Sequence, residues 1–471
     1  MPARNLFVLL GCLLAGVAVW FARARDLPGN RFNEVLSIIG RSALEPASPR
    51  VLFEAAVAGA VDELDEHSTF IPPAEQASFE ALIDQQFGGV GLELAQDDST
   101  GDLVVVSPVV SGPAWQAGVV AGDRIIAIDG APTRGLQLAD IVGRLRGPIG
   151  TPVTLRVAAA RPTPLSTPLS TPVPASGQES PDAGRDVRLM RALVTTETVL
   201  GDRRGTDGVW NFRLEHEPDI ALVRITGFGE RTVEEFDAAL AAIATPPPRG
   251  IVIDLRGNPG GLVSAAVGVC DRFLESGVIV STRGRSGAAG DSPLDVREAT
   301  AGDAFPDVPV AVLIDGLTAS AAEIVAACLQ DHGRATVVGS RTFGKGTVQS
   351  LVPLGGGDGL LKLTTSEYLR PRGAGLNRRM SDGDAAEWGV TPDRGCEISP
   401  TAASLERLRR WRRQRDAVGA PDRSTAAVTA AVDEALTLAV AAVRRGSPAR
   451  AEFGRQEEAA RDADDALPAG E

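Results

Sequence analysis

Two short apolar runs, GIVIDL at Gly250–Leu255 and PVAVLI at Pro309–Ile314, constrain this chain most. Each has the length and unbroken hydrophobicity of a buried strand. Each runs through a Gly-containing turn into a stretch of helical pattern, Leu262–Leu274 after the first and Ala321–Gln330 after the second. In the second stretch Ile324, Val325, Cys328 and Leu329 recur at helical spacing, and Gly333 is placed to cap the end. The strands VIVST and ATVVG follow the two helices, and IALVRITGF (Ile220–Phe228) with the amphipathic Val233–Ala244 precedes them. Consecutive strand–helix–strand units predict an α/β body: a largely parallel or mixed sheet with helices on its faces. Such sheets place their sites at the carboxyl ends of the strands.

Ser320 stands where the chain enters the second helix. A serine there is ordinarily an N-cap. The same place attracts anions, because unpaired N–H groups and the helix dipole point to it, and a nucleophile would find an oxyanion site in the adjacent backbone. Lys345 gives this position its interest. Of 47 Lys and Arg residues only Lys345 and Lys362 are lysine. Arginine stays protonated in a protein, whereas a desolvated lysine can lose its proton and act as a base. Gln349 lies four residues on in a strand-like run, on the same face as Lys345, where a neutral amide could orient the amine. GSRTFGKG (Gly339–Gly346) comes close to a phosphate-binding loop, but Gly346 replaces the Mg-binding Ser/Thr and a β-rich run follows where a helix is required.

The segment TASAAEIVAACLQDHGRATVVGSRTFGKGTVQ resembles the catalytic segment of the C-terminal processing (tail-specific) serine proteases, a family that uses a Ser–Lys dyad. The resemblance implies Ser320 as nucleophile, Lys345 as general base and Gln349 as the residue that orients the lysine. It implies the Ala321 N–H as one oxyanion donor and an N–H of the Gly260–Gly261 pair as the other, without saying which glycine. The fold implied for the body, residues 193–400, is a crotonase-like α/β core.

Upstream, FGGVGLEL and LVVVSPVVSGPAWQAGVVAGDRIIAIDG resemble a PDZ domain, residues 86–192, of β-barrel-like architecture. Its Gly89-Val90-Gly91-Leu92 loop offers backbone N–H groups to a peptide carboxylate, and the strand it opens onto can accept an extended peptide. Leu136–Leu145 would wall the groove. A Pro/Ser/Thr-rich insertion, residues 161–185, cannot bury a core and interrupts the domain before its last strand, DVRLM. Residues 28–85 read as an N-terminal helical region, with Val51–Leu64 apolar on nearly every face and expected to pack deeply. Its Leu64-Asp65-Glu66-His67-Ser68-Thr69-Phe70 resembles the family's Leu-Asp-Pro-His-Ser-x-Tyr, and His67 and Ser68 are read as satisfying a turn. Residues 401–471 read as a helical tail with an acidic end.

A net charge of −14 makes nucleic acid an improbable partner, and His67, His216 and His332 form no zinc-ligand spacing. No metal or cofactor is expected. Leu6–Ala22 is uncharged and apolar, at the lower limit for a membrane span, and serves as a signal anchor or, with Ala22-Arg23-Ala24 as cleavage site, a signal peptide within residues 1–27. The four cysteines form no disulfide framework. The expectation is an extracytoplasmic endopeptidase, attached to the membrane through its N-terminal segment. It would recognise proteins with free, apolar C-termini, with a homo-oligomer or an activating partner as further possibilities. The alternative is a non-catalytic PDZ adaptor that binds tails, for which a lysine retained in an arginine-using chain has no purpose.

Overall fold

The structure is a computed structural model that describes residues 28–446 apart from positions 46, 77, 78, 80–85, 98, 99, 160–183, 285–294, 301, 303, 379–386 and 419–431. The expectations for the apolar segment at 6–22, for nearly all of the insertion and for the acidic end lie outside these residues. Among the described residues no helix is long and apolar enough to cross a membrane.

The chain divides into two compact units. The first comprises the N-terminal residues to Gln76 together with Gln349–Thr364. It holds helices α1 (Pro28–Ser42) and α2 (Pro49–Asp62) and the short strand β1 (Thr69–Ile71), which pairs antiparallel with Leu360–Lys362. Ser48 caps α2 through its side chain, and Pro49 occupies the first turn, where a missing N–H costs nothing. The expected deep packing of this helix is not found: within it Val61 is buried, while Val51 and Phe53 are exposed. Its apolar residues are spread round the circumference, and one neighbouring element can cover only part of such a surface.

The second unit holds two sheets that matter for function. One is the five-strand array β2 (Leu92–Gln96), β3 (Leu103–Pro108), β4 (Arg124–Ile128), β5 (Pro152–Ala158) and β6 (Arg185–Met190), paired antiparallel in that order. Helix α3 (Leu138–Leu145) closes its core through Ile141 and Leu145, packed with Val105, Ile125, Leu155 and Leu189. The last strand starts at Arg185 and pairs residue by residue with β5.

The other is a six-stranded mixed sheet whose four main strands, β7 (Glu217–Ile225), β8 (Gly250–Asp254), β9 (Val310–Ile314) and β10 (Ala335–Gly339), lie parallel and side by side in chain order, with the short strands Val199–Leu200 and Arg213–Leu214 antiparallel against β7. Every residue of β8, β9 and β10 is buried. Their continuous apolar runs reflect two covered faces. Helices α4 (Thr232–Ile243), α5 (Val263–Asp271) and α6 (Ala321–Asp331) cover one face, against Val223, Ile253, Val312 and Val337. The C-terminal segment supplies α7 (Ala402–Asp416) and α8 (Glu434–Arg445). Leu436, Ala439 and Val443 of α8 cover the opposite face, against Leu222, Val252, Ala311 and Val338. What reads from sequence as a tail thus completes the core of the α/β body.

Candidate active site

Ser320 lies between β9 and α6, at the carboxyl end of the sheet. Its backbone is at φ 56 and ψ −121, a region that a non-glycine residue enters at a cost of about 1–3 kcal/mol. The turn is tied on both sides. The Thr318 hydroxyl donates to the Leu255 carbonyl at 2.9 Å, and the Ala319 N–H to the Asn258 carbonyl at 2.9 Å. A strained strand-to-helix turn of this kind holds a side chain clear of the backbone, where it can reach a substrate.

Glu323, completely buried one turn into α6, explains how the strain is held. One carboxylate oxygen accepts the Ser320 N–H and the Lys345 N–H, both at 2.8 Å. The other accepts the Thr342 hydroxyl at 2.5 Å and the Gly344 N–H at 2.7 Å. A single carboxylate therefore staples the turn that carries Ser320 to the turn that carries Lys345. Burial pushes its pKa up, and the four donors work in the opposite direction. Sequence reasoning singles out Ser320 but not Glu323. The signal was present, since Ser-x-x-Glu before an apolar run is the capping-box pattern.

The glycines around Lys345 have packing reasons. A Cβ on Gly344 would meet the Trp388 ring at 2.7 Å, and one on Gly346 would meet the Asn377 nitrogen at 2.2 Å. Lys345 itself is half-buried. The FGKG run is thus a close backbone crossing, consistent with its departure from the phosphate-loop pattern.

The turn after β8 presses against Ser320 from the other side. A Cβ on Gly260 would lie 2.7 Å from the Ser320 Cβ and 2.8 Å from the Ala319 oxygen. Gly260 has φ 99 and Gly261 has φ 140. The Gly260 N–H is given to Asn258 Oδ1 at 2.8 Å, and the Gly260 carbonyl accepts the Phe228 N–H at 2.9 Å. Asn258, fully buried, also donates to the Ile225 carbonyl at 2.8 Å. The structure thus brings together Ser320, Ala321, Gly260, Gly261 and the Lys345 backbone.

Gln349 belongs to the first unit. Its Nε2 donates to Thr364 Oγ1 at 3.5 Å, and that hydroxyl donates to Asp65 Oδ1 at 3.0 Å. The same Asp65 oxygen accepts the His67 and Ser68 N–H groups, and Ser68 Oγ donates to Oδ2 at 2.7 Å. The Leu-Asp-Glu-His-Ser turn is therefore built on Asp65, with His67 and Ser68 as its backbone donors. Burial tends to raise the Asp65 pKa, but the Ser68, His67 and Thr364 hydrogen bonds bring it below the ordinary value.

In the antiparallel domain, Gly89, Val90, Gly91 and Leu92 lead into the edge strand β2. The Val90 carbonyl accepts the Ala114 N–H at 2.9 Å and the Gly91 carbonyl accepts the Val109 N–H at 3.0 Å. In a trans peptide the N–H points opposite to the C=O. With both carbonyls turned inward, the Gly91 and Leu92 N–H groups point the other way. Gly91 at φ 70 makes that turn possible.

Comparison with known proteins places these features. Residues 219–395 match the model of Peptidase family S41, and residues 104–158 match a PDZ domain model. The chain is 34% identical over 367 residues to the Carboxy-terminal-processing protease of Bartonella bacilliformis, covering 77% of this chain and 74% of that protein. It is 28% identical over 361 residues to the Carboxy-terminal processing protease CtpB of Bacillus subtilis, covering 75% and 67% respectively. A solved structure of a photosystem II D1 C-terminal processing protease is 26% identical, with a TM-score of 0.43 over 83% of this chain and 97% of that one. The α/β body and the preceding PDZ domain match these family models, and the chain belongs to the carboxy-terminal processing proteases, serine-type peptidases of family S41.

Proposed function

We propose that Ser320 is the nucleophile of this peptidase, Lys345 its general base and Gln349 the residue that orients the base. The observation that carries the reading is the Glu323 carboxylate, which holds the backbones of Ser320 and Lys345 through two 2.8 Å hydrogen bonds. In its neutral form the Lys345 amine takes the proton from Ser320 Oγ as the oxygen attacks the scissile carbonyl. The lysine then delivers that proton to the leaving amine. The acyl-enzyme is hydrolysed by a water that the same amine deprotonates, and Ser320 is regenerated. The tetrahedral intermediate carries its charge on the former carbonyl oxygen, against backbone donors. Ala321, the first residue of α6, supplies one N–H. The Gly260 N–H is committed to Asn258, which favours Gly261 as the second donor.

The PDZ domain captures the substrate's end. An extended peptide adds to the edge of β2, and its carboxylate meets the outward N–H groups of Gly91 and Leu92. Apolar C-terminal residues suit the groove beside α3. The substrates are unfolded or loosely folded proteins with free C-termini, met outside the cytoplasm, with the N-terminal segment serving for export or attachment.

The test is cleavage of an unfolded protein with an apolar C-terminus, free or amidated, by the wild-type protein and by Ser320→Ala. The expected result is cleavage by the wild type alone, weakened by amidation because the loop loses a charged acceptor. Cleavage by Ser320→Ala would remove the nucleophile assignment, and equal cleavage of both substrates would remove the tail-capture assignment.

A further inference from the structure

We propose that Asp433, in the C-terminal segment, is a positioning residue for the oxyanion turn, acting through Arg256. The proposal rests on the reading of that turn as an oxyanion donor. Arg256 is the second residue beyond the end of β8 and stands five residues before Gly261. Its guanidinium is held on two sides. Asp254 accepts from Nε at 2.9 Å and from Nη2 at 2.6 Å. Asp433 accepts from Nη1 at 2.8 Å and from Nη2 at 3.0 Å, a two-pronged contact across 177 residues of chain. Bidentate pairs of this kind fix direction as well as distance.

The surroundings make the contact a built one. Asp433 is 1% exposed, and Arg412 adds a third cation contact to it at 3.3 Å. Burial works against its charge, but Arg256 and Arg412 overcome this and hold the carboxyl well below the usual carboxylate range. The rest of the turn is anchored locally, with the Gly257 N–H on Asp315 at 2.9 Å and Asn258 between Ile225 and Gly260. The start of the turn is different. Its outer support is Asp433, which lies beyond both matched family segments. Through this contact the C-terminal segment reaches the geometry of the Gly260–Gly261 pair.

Asp433 also caps α8, its Oδ1 accepting the Leu436 N–H at 3.0 Å. Asn caps a helix as well as Asp does, so Asp433→Asn keeps the cap and removes the charge that orients Arg256. The experiment compares full-length wild type, Asp433→Asn and Ser320→Ala, with kcat and KM on a peptide substrate and affinity for a peptide aldehyde that forms a tetrahedral adduct. The proposal expects kcat of Asp433→Asn to fall about tenfold or more with KM within about twofold. That is the pattern of an interaction made only in the transition state. Aldehyde affinity should fall by a similar factor, and the protein should stay folded by circular dichroism, with a lowered thermal transition because one partner of a buried ion pair is lost. A folded Asp433→Asn protein with unchanged kcat, or with the loss confined to KM, would overturn it. If Asp433→Asn does not fold, Arg256→Lys, which keeps the charge but loses the two-pronged geometry, is read by the same split and decides in the same way. Ser320→Ala separates the two claims: activity in that variant would sink the nucleophile reading, whereas its loss beside an unaffected Asp433→Asn would sink only the clamp.

Discussion

The turns after β8 and β9 solve one problem in two ways. They leave neighbouring parallel strands, run to the same end of the sheet and both feed a helix. Both need backbone in the left-handed half of φ. The β8 turn uses Gly260 at φ 99, which costs glycine no steric strain. The β9 turn puts a serine at φ 56 and meets the strain with the Glu323 carboxylate beneath it. Where the backbone itself forms the wall of the site, the side chain is removed. Where a side chain must be presented, it is kept, and a buried hydrogen-bonded support is built under it.

The largest expected effects remove what the serine turn presents. We predict that Ser320→Ala and Lys345→Arg each lower peptide cleavage by about 10⁴-fold or more, while circular dichroism and thermal transition stay close to those of the wild type. Lys345→Arg keeps the positive charge but cannot give a neutral base. An active Lys345→Arg protein would mean that the lysine is not the base.

Gly260→Ala tests the other turn. The added methyl would come within 2.7 Å of the Ser320 Cβ, closer than packed carbons approach, so the two turns must part. Loss of a well-placed oxyanion donor costs about 10²–10³ in kcat. We expect a loss in that range together with a lowered thermal transition. Retention of wild-type kcat would show that the turns can separate without consequence for the chemistry.

Glu323→Gln strikes the support. A glutamine offers one acceptor oxygen where the carboxylate offers two, so its NH₂ would face two of the four donors. Buried donors left unpaired cost about 1–3 kcal/mol, which corresponds to about 10–100-fold if the cost falls on the active geometry. The pH dependence of stability gives a second readout. Because burial raises the Glu323 pKa, the folded state binds its proton more tightly than the unfolded chain. The associated stability is fully present below the ordinary glutamate range and is lost as pH rises through the raised folded value. Glu323→Gln should flatten that part of the stability–pH curve, and an unchanged curve would mean that the group does not titrate in this window.

How much of this was legible in the sequence depends on the distance over which each interaction acts. The strands β8 and β9, their turns and Ser320 could be read because unbroken apolar runs, glycines and a helix start are local signals. Lys345 stood out through composition, and Gln349 through its spacing. The choice between Gly260 and Gly261 could not be made, since it depends on Asn258 folding back to take the Gly260 N–H. The depth of α2 was misjudged because apolar content does not say what covers it. The place of α8 was hidden for the related reason that its partners, Leu222, Val252 and Ala311, are distant in the chain. The clamp from Asp433 to Arg256 spans 177 residues, and nothing local distinguishes Asp433 from any other helix cap.

The smallest expected effect bears most directly on the comparison. Ser320→Gly turns the β9 turn into the kind found after β8. It removes the nucleophile, so its activity should match that of Ser320→Ala, and the information lies in stability. The alanine variant keeps a Cβ at φ 56 and therefore keeps the strain, set at about 1–3 kcal/mol. The glycine variant relieves it but loses about 0.4–1 kcal/mol through the greater freedom of the unfolded chain. We therefore predict that Ser320→Gly is more stable than Ser320→Ala by about 1 kcal/mol, read as a small upward shift in denaturation midpoint between the two inactive proteins. Equal midpoints, or a lower one for glycine, would show that the serine backbone is not strained in the folded protein. The Glu323 carboxylate would then serve to join the Ser320 and Lys345 turns rather than to hold one of them under tension.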